Sequence, residues 1–181
     1  MDHDLRCQCG QVQWRIAGHV TGRRLMCYCV DCQAFQHHLG CADRGLDSSG
    51  GTDILQTLPE AVTLAQGVDH IAVLRLGPKG LLRWYATCCN TPIANTIATP
   101  KFAFAGMILP PDAPGFGPIR ARVNTLGART PIKEQGTAAA GIAVLWRAGW
   151  AHVTGAWRRT PFFTSGGAPI TPPKVLSLPD R

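Results

Sequence analysis

The grouping of the cysteines is the feature that most constrains how this chain can fold. Seven of its 8 cysteines fall into three tight groups, which are Cys7 and Cys9, then Cys27, Cys29 and Cys32 in the segment CYCVDC, then Cys88 and Cys89. Two cysteines separated by one residue on a strand have Cα atoms near the upper distance limit for a disulfide. In a reducing compartment such clusters more often bind metal than form disulfides.

The segment CYCVDC can by itself supply three metal ligands. Sulfur lies about 2.3 Å from zinc in a tetrahedral site, so the ligand sulfurs are a little under ~4 Å apart. Cys27 and Cys29 emerge on one side of a strand, and a tight turn would bring Cys32 beside them. The candidates for a fourth ligand are Cys41, His37 and His38. Otherwise the fourth position stays open for water or substrate, as in catalytic rather than structural zinc sites.

Cys7 and Cys9 supply only two ligands and need a distant pair. Cys88 and Cys89 are the clustered candidates, although adjacent residues on an extended strand point to opposite faces. Both can reach one metal only where the chain turns sharply, and Asn90 with the following TP favours such a turn.

The composition indicates one globular domain over residues 1–181, with 45% hydrophobic and 16% charged residues. The net charge of +7 is dispersed. We interpret it first as solubilising charge, second as a pocket for an anionic small molecule and third as nucleic-acid binding. The basic residues considered are Arg23, Arg24, Arg75, Lys79, Arg83, Arg120, Arg122, Arg158 and Arg159.

The chain is expected to be soluble and cytoplasmic. Its first residues, MDHDLRCQCG, do not resemble a secretory signal. The longest apolar stretches fall far short of the ~20 residues that a membrane-spanning helix needs, so no membrane partner is expected.

Short runs of β-forming residues separated by turns predict a mainly β fold with several small antiparallel sheets. The predicted strands lie within residues 11–16, 54–58, 62–65, 71–76, 81–86 and 102–109. The Ala-rich segment 137–148, between Gly136 and Gly149, predicts a helix. We expect Trp146, Trp150 and Trp157 to pack in the core, and the Gly- and Pro-rich tail after Pro161 to form an irregular strap.

The order of the cysteine motifs resembles that of the glutathione-dependent formaldehyde-activating enzyme family. The residues that carry the resemblance are Cys7, Cys9 and Gly10, then Cys27, Cys29, Cys32 and Gln33, then Cys89, Asn90, Thr91 and Pro92. It covers about residues 6–95 and leaves residues 111–181 as an extension without a recognised motif. It implies an Mss4-like fold, a structural zinc held by four cysteines, and a second zinc at the CxCxxC segment near a glutathione site.

One position departs from the family pattern. Ala86 stands where the first cysteine of the late pair belongs, and Cys88 lies beside Cys89 instead. The structural zinc could therefore be held by Cys7, Cys9, Cys88 and Cys89, could keep three thiolates, or could be lost.

The resemblance implies a carbon–sulfur lyase that condenses glutathione, or a related thiol, with formaldehyde or a similar aldehyde. Cys27, Cys29 and Cys32 would hold the zinc at which the thiol is activated. The alternative is a non-catalytic module, stabilised by zinc, that binds protein or nucleic acid. Nucleic acid is the less expected partner, because the basic residues do not cluster. Gln33 and Phe35 either shape a pocket or occupy a turn and a core position.

Overall fold

The computed structural model describes residues 2–19, 22–110 and 113–176. This part of the chain is mainly β, as predicted. Its strands are β1 (His3–Arg6), β2 (Gln13–Ile16), β3 (Arg23–Cys27), β4 (Thr52–Thr57), β5 (Val62–Gln66), β6 (Ile71–Arg75), β7 (Leu82–Ala86), β8 (Thr91–Thr96), β9 (Ala105–Ile108), β10 (Ala121–Val123) and β11 (Lys174–Val175). Its α-helices are α1 (Val30–His38), α2 (Ala42–Gly45) and α3 (Thr137–Thr154).

The strands form one small sheet and one large sheet. The small sheet has the order β1-β2-β5, and the large one has the order β10-β3-β4-β9-β8-β7-β6-β11. Neighbouring strands are antiparallel except at the two ends of the large sheet, where β10 and β11 run parallel to β3 and β6. The predicted mainly β fold is thus confirmed. Most of the strands belong to one large sheet, whereas several small sheets were expected.

The main core lies between the two sheets and the C-terminal segment. Trp14 and Ile16 alternate with exposed residues along β2 and are buried, as the predicted period of two requires. Trp84 of β7 is fully buried, and its ring centroid lies 5.1 Å from that of Phe162. Residues beyond 111 therefore contribute side chains to the same core as the motif-bearing strands.

Helix α3 is longer than predicted. The sequence predicts an end at Ala148, since Gly149 follows, but the helix continues to Thr154. It ends at Gly155, whose φ of 73° is left-handed. Glycine ends a helix readily when it adopts that conformation, whereas Gly149 lies within the helix.

The placement of Trp146 and Trp150 in the core was wrong. Their side chains are 74% and 60% exposed. Helix α3 instead buries three alanines, Ala140, Ala148 and Ala151, so its small residues face the protein and its large ones face outward. Trp157 is partly buried against a small cluster that includes Ala151.

The predicted C-terminal strap is irregular except at its end. There β11 pairs with β6 through Lys174 and Val175. Residues 177–181 of this strap lie outside the described part of the chain. No helix within the described residues is both long enough and apolar enough to cross a membrane.

Candidate metal centres

The structure brings Cys7, Cys9, Cys88 and Cys89 together, and we call them the first centre. Their four sulfur atoms all lie within 4.8 Å of one another. The Sγ atom of Cys88 lies 3.2 Å from that of Cys9, 3.7 Å from that of Cys7 and 3.9 Å from that of Cys89. Thiolates around one tetrahedral ion would be a little under ~4 Å apart, so the donor set fits a metal ion.

A sharp turn allows the adjacent cysteines to face the same group. Residues 87–90 form this turn between β7 and β8, and Asn90 has a φ of 54°. Asparagine adopts this left-handed conformation more readily than most residues. The turn is joined to the Cys7–Cys9 segment by the backbone N–H of Gln8, which donates to the hydroxyl of Thr91 over 3.0 Å. The turn that the sequence predicted at Asn90 is confirmed.

Cys27, Cys29 and Cys32 form the second centre, and their sulfur atoms also lie within 4.8 Å of one another. Cys27 ends β3, Cys29 is the N-cap of α1, and Cys32 lies in the first turn of that helix. The Sγ atom of Cys29 accepts a hydrogen bond from the backbone N–H of Cys32 over 3.3 Å. The expected tight turn is therefore the start of helix α1, which was not predicted from the sequence.

None of the three candidate fourth ligands joins the second centre. Within the described residues, no further His, Cys, Asp or Glu belongs to this group. Cys41 is buried and donates to the Oε1 atom of Gln36 over 3.0 Å. The Nε2 atom of His37 lies 3.1 Å from Nη2 of Arg129, and His38 is exposed at the end of α1.

A buried arginine, which the sequence pattern groups with the dispersed basic residues, lies beside the second centre. Arg83 of β7 is 2% exposed, and its Nη1 donates to Cys32 Sγ over 3.9 Å and to Asn95 Oδ1 over 3.2 Å. Its guanidinium also lies over the ring of Phe35 and 3.5 Å from Asp31. The available signal was a charge inside the apolar run 81–86, since lysine and arginine are almost never fully buried unless paired.

Asn124 is a second neighbour that the sequence did not reveal. The parallel pairing of β10 with β3 places Val123 opposite Cys27. The next residue, Asn124, then donates its Nδ2 hydrogen to Cys27 Sγ over 3.4 Å. No local pattern marks this residue, because the contact joins positions 97 apart in the chain.

The three thiols of the second centre differ in acidity. Hydrogen bonds from Cys29 and Cys32, together with that from Asn124, lower the pKa of Cys27. The pKa values of Cys29 and Cys32 are raised, chiefly by the hydrogen bonds that connect them to Cys27, with burial acting in the same direction. Cys27 is therefore the most acidic thiol of this centre.

The first centre shows a similar division between Cys88 and Cys89. Burial raises the pKa of Cys88, and hydrogen bonds with Cys9 and Cys7 raise it further. For Cys89 burial also acts to raise the pKa, but hydrogen bonds from Thr91 and Cys9 outweigh it and lower the pKa to about 6. Cys89 is thus the more acidic thiol of this pair.

Gln33 and Phe35 have structural positions. The Nε2 of Gln33 donates to the carbonyl oxygens of Tyr28 and Gly127 over 3.0 and 2.7 Å. These bonds connect the cysteine segment to the loop that follows Asn124. Phe35 is fully buried, so it occupies a core position and does not shape a pocket.

Comparison with known proteins identifies a family without a known activity. Residues 3–171 match the sequence model of a family described as a family of unknown function, DUF6151. No curated protein matches the chain. A crystal structure of a Rhodobacter sphaeroides protein is similar, with 16% sequence identity, a TM-score of 0.39, and coverage of 65% of this chain and 92% of that chain.

Proposed function

This chain belongs to the DUF6151 family of unknown function, and we propose that it is a zinc-dependent carbon–sulfur lyase that acts at its second centre. The observation that carries the proposal is the set of three converging thiols without a fourth Cys, His, Asp or Glu ligand in the described residues. Three protein ligands and one open position are typical of catalytic zinc. The four-thiol first centre would hold a structural zinc.

The charges around the second centre support a reactive site. A zinc ion with three thiolates carries a net charge of −1, and such a charge is costly to bury unless it is compensated. The buried guanidinium of Arg83 compensates it through its contact with Cys32. Asn124 donates to Cys27 and so stabilises the thiolate form of that ligand.

The proposed reaction adds a thiol to an aldehyde. Cys27, Cys29 and Cys32 would hold the zinc ion, which would lower the pKa of a bound substrate thiol so that its thiolate could act as the nucleophile. The C–S bond forms as the carbonyl π electrons move to oxygen, which takes up the proton to give a hydroxymethyl thioether. The three cysteines would position the ion, and Arg83 and Asn124 donate hydrogen bonds to the sulfur atoms of Cys32 and Cys27.

We propose glutathione, or a related anionic thiol, as the thiol and formaldehyde, or a similar aldehyde, as its partner. The cysteine motifs that resemble the formaldehyde-activating enzymes support this choice. Arg129 and Lys133 line a groove that follows Asn124 in the chain, and two cations there suit the carboxylates of such a thiol.

The test measures how fast the zinc-loaded protein exchanges glutathione and formaldehyde with S-(hydroxymethyl)glutathione, by NMR exchange spectroscopy. We expect exchange above the uncatalysed rate, loss of this excess in Cys29→Ala, and its retention in Cys41→Ala, which alters a cysteine outside both centres. Zinc analysis should give two ions per chain for the wild type and one for Cys29→Ala. A fully loaded protein that does not accelerate the exchange would refute the lyase.

A second candidate function is a zinc-stabilised module that binds a protein. It is favoured by the exposed apolar side chains of α3, which are Ile142, Leu145, Trp146, Trp150 and Val153. Contiguous exposed apolar residues often mark interaction sites. Loading of both centres without catalysis would favour this candidate, whereas acceleration that depends on Cys29 would favour the lyase.

A further inference from the structure

A pocket of about 270 Å³ lies between the two centres without containing any of their cysteines. Gln8, which lies between Cys7 and Cys9, lines one side together with Thr91. Gln36, one turn after Cys32 on α1, lines another. The pocket is therefore separate from the sulfur atoms at which the proposed reaction would take place.

Two cations line this pocket without a carboxylate to balance them. Arg6 and Arg44 are exposed at its edge. Neither forms an ion pair with any residue that the structure describes, and no Asp or Glu is among the lining residues. An unbalanced pair of guanidiniums favours an anionic ligand.

The rest of the wall is largely apolar, and two of its residues carry buried donors without partners. Trp14, Pro92 and Leu109 contribute apolar surface. The Nε1 of Trp14 and the Nε2 of Gln36 are buried and have no hydrogen-bond partner among the described residues. The Oε1 of Gln36 accepts from Cys41, so the orientation of this amide leaves its donor group unpaired. Such groups are costly to bury unless an acceptor is supplied.

We propose that this pocket binds a small carboxylic acid with an apolar body. The carboxylate would pair with Arg6 and Arg44, because guanidinium groups match a carboxylate in a planar, two-bonded arrangement. The apolar body would lie against Trp14 and Leu109. The volume is close to the lower limit of ordinary ligand pockets, about 300 Å³, so the ligand is the size of a six-carbon acid. The proposal does not depend on the lyase activity.

The test uses hexanoate as the probe on the metal-loaded full chain. Hexanamide has the same shape without the charge, and acetate has the charge without the apolar body. Binding is followed by the indole N–H resonance of Trp14 in ¹H–¹⁵N NMR spectra, assigned with Trp14→Phe. We expect a saturable shift with hexanoate, and dissociation constants that are weaker by about tenfold or more for hexanamide and for acetate.

Arginine variants inside and outside the pocket test whether binding depends on the two charges that line it. Arg6→Gln and Arg44→Gln should each weaken hexanoate binding by about tenfold, whereas Arg120→Gln removes the same charge outside the pocket and should leave binding unchanged. The proposal is overturned if the Trp14 resonance shows no saturable shift, if hexanamide binds as well as hexanoate, or if Arg120→Gln weakens binding as much as the pocket variants.

Discussion

The two centres differ in how much of the chain each one joins. The first collects ligands from two segments, with Cys7 and Cys88 lying 81 positions apart, and it connects the small sheet to a turn of the large sheet. The second collects three ligands from six consecutive residues at the junction of β3 and α1. An ion at the first centre would close a long loop and so reduce the conformational entropy of the unfolded chain. An ion at the second centre would close only a loop of a few residues, with little effect on that entropy.

The two centres also differ in how deeply their cysteines are buried and in which side chains surround them. Cys9 of the first centre is exposed, whereas Cys27 and Cys32 of the second are 7% and 5% exposed. The second centre also has a buried cation and an amide donor beside its sulfurs. We therefore expect loss of the first centre to affect mainly stability, and changes around the second to affect mainly metal affinity and reactivity.

The largest expected effect comes from breaking the first centre. The double variant Cys88→Ser/Cys89→Ser removes both ligands of the distant pair, and should lower the free energy of unfolding of the zinc-loaded protein by about 4–5 kcal/mol, the value expected for losing a cross-link across a loop of about 80 residues. Cys41→Ser replaces a thiol outside both centres and serves as the control in thermal and urea unfolding. A Cys88→Ser/Cys89→Ser protein as stable as the wild type would show that the first centre does not cross-link the fold.

The second centre should lose its metal as the pH falls. Because the pKa of Cys27 is lowered and those of Cys29 and Cys32 are raised, metal binding near pH 7 displaces about two protons. Zinc affinity should therefore weaken by about 100-fold for each unit that the pH decreases. Chelator competition at pH 6.5 and 7.5 measures this slope, with Cys29→Ala identifying the contribution of the first centre. A slope near zero would contradict the assignment of the protons.

Arg83 should matter more to the second centre than any exposed arginine. Arg83→Gln removes the charge that compensates the thiolates, and should weaken zinc binding there by about 10–100-fold, as for other groups that support metal ligands. The control is Arg15→Gln, which alters an exposed ion pair of the small sheet and should leave zinc affinity unchanged. Equal effects of the two variants would mean that only the net charge matters.

The smallest expected effect comes from Asn124. Asn124→Gly removes the amide that donates to Cys27 while tolerating the φ of 55°. Loss of one such hydrogen bond should weaken zinc binding at the second centre about fivefold. Asn90→Gly makes the same change at a residue with a φ of 54° in the turn that carries Cys88 and Cys89, and should leave the second centre unaffected. Indistinguishable affinities in the two variants would exclude a role for the amide.

Patterns along the chain predicted most strands and the membership of both centres. Strands β2, β4 and β6 could be read from alternating or continuous apolar runs, because a strand expresses its burial in its own sequence. Helix α1 could not, since only three of its residues are buried and one of them, Gln36, is polar. The end of α3 and the exposure of Trp146 were also misjudged, because packing against the sheet selected its alanines.

The sequence alone determined which thiols are available and how they are spaced, since three ligands within six residues can converge through local geometry. Only the tertiary structure decided the surroundings of those thiols. Sheet register placed Arg83 and Asn124 beside the second centre, and the turn at Asn90 brought Cys88 and Cys89 to Cys7 and Cys9. These contacts join residues distant in the chain, and no local pattern encodes a partner that folding alone brings into contact.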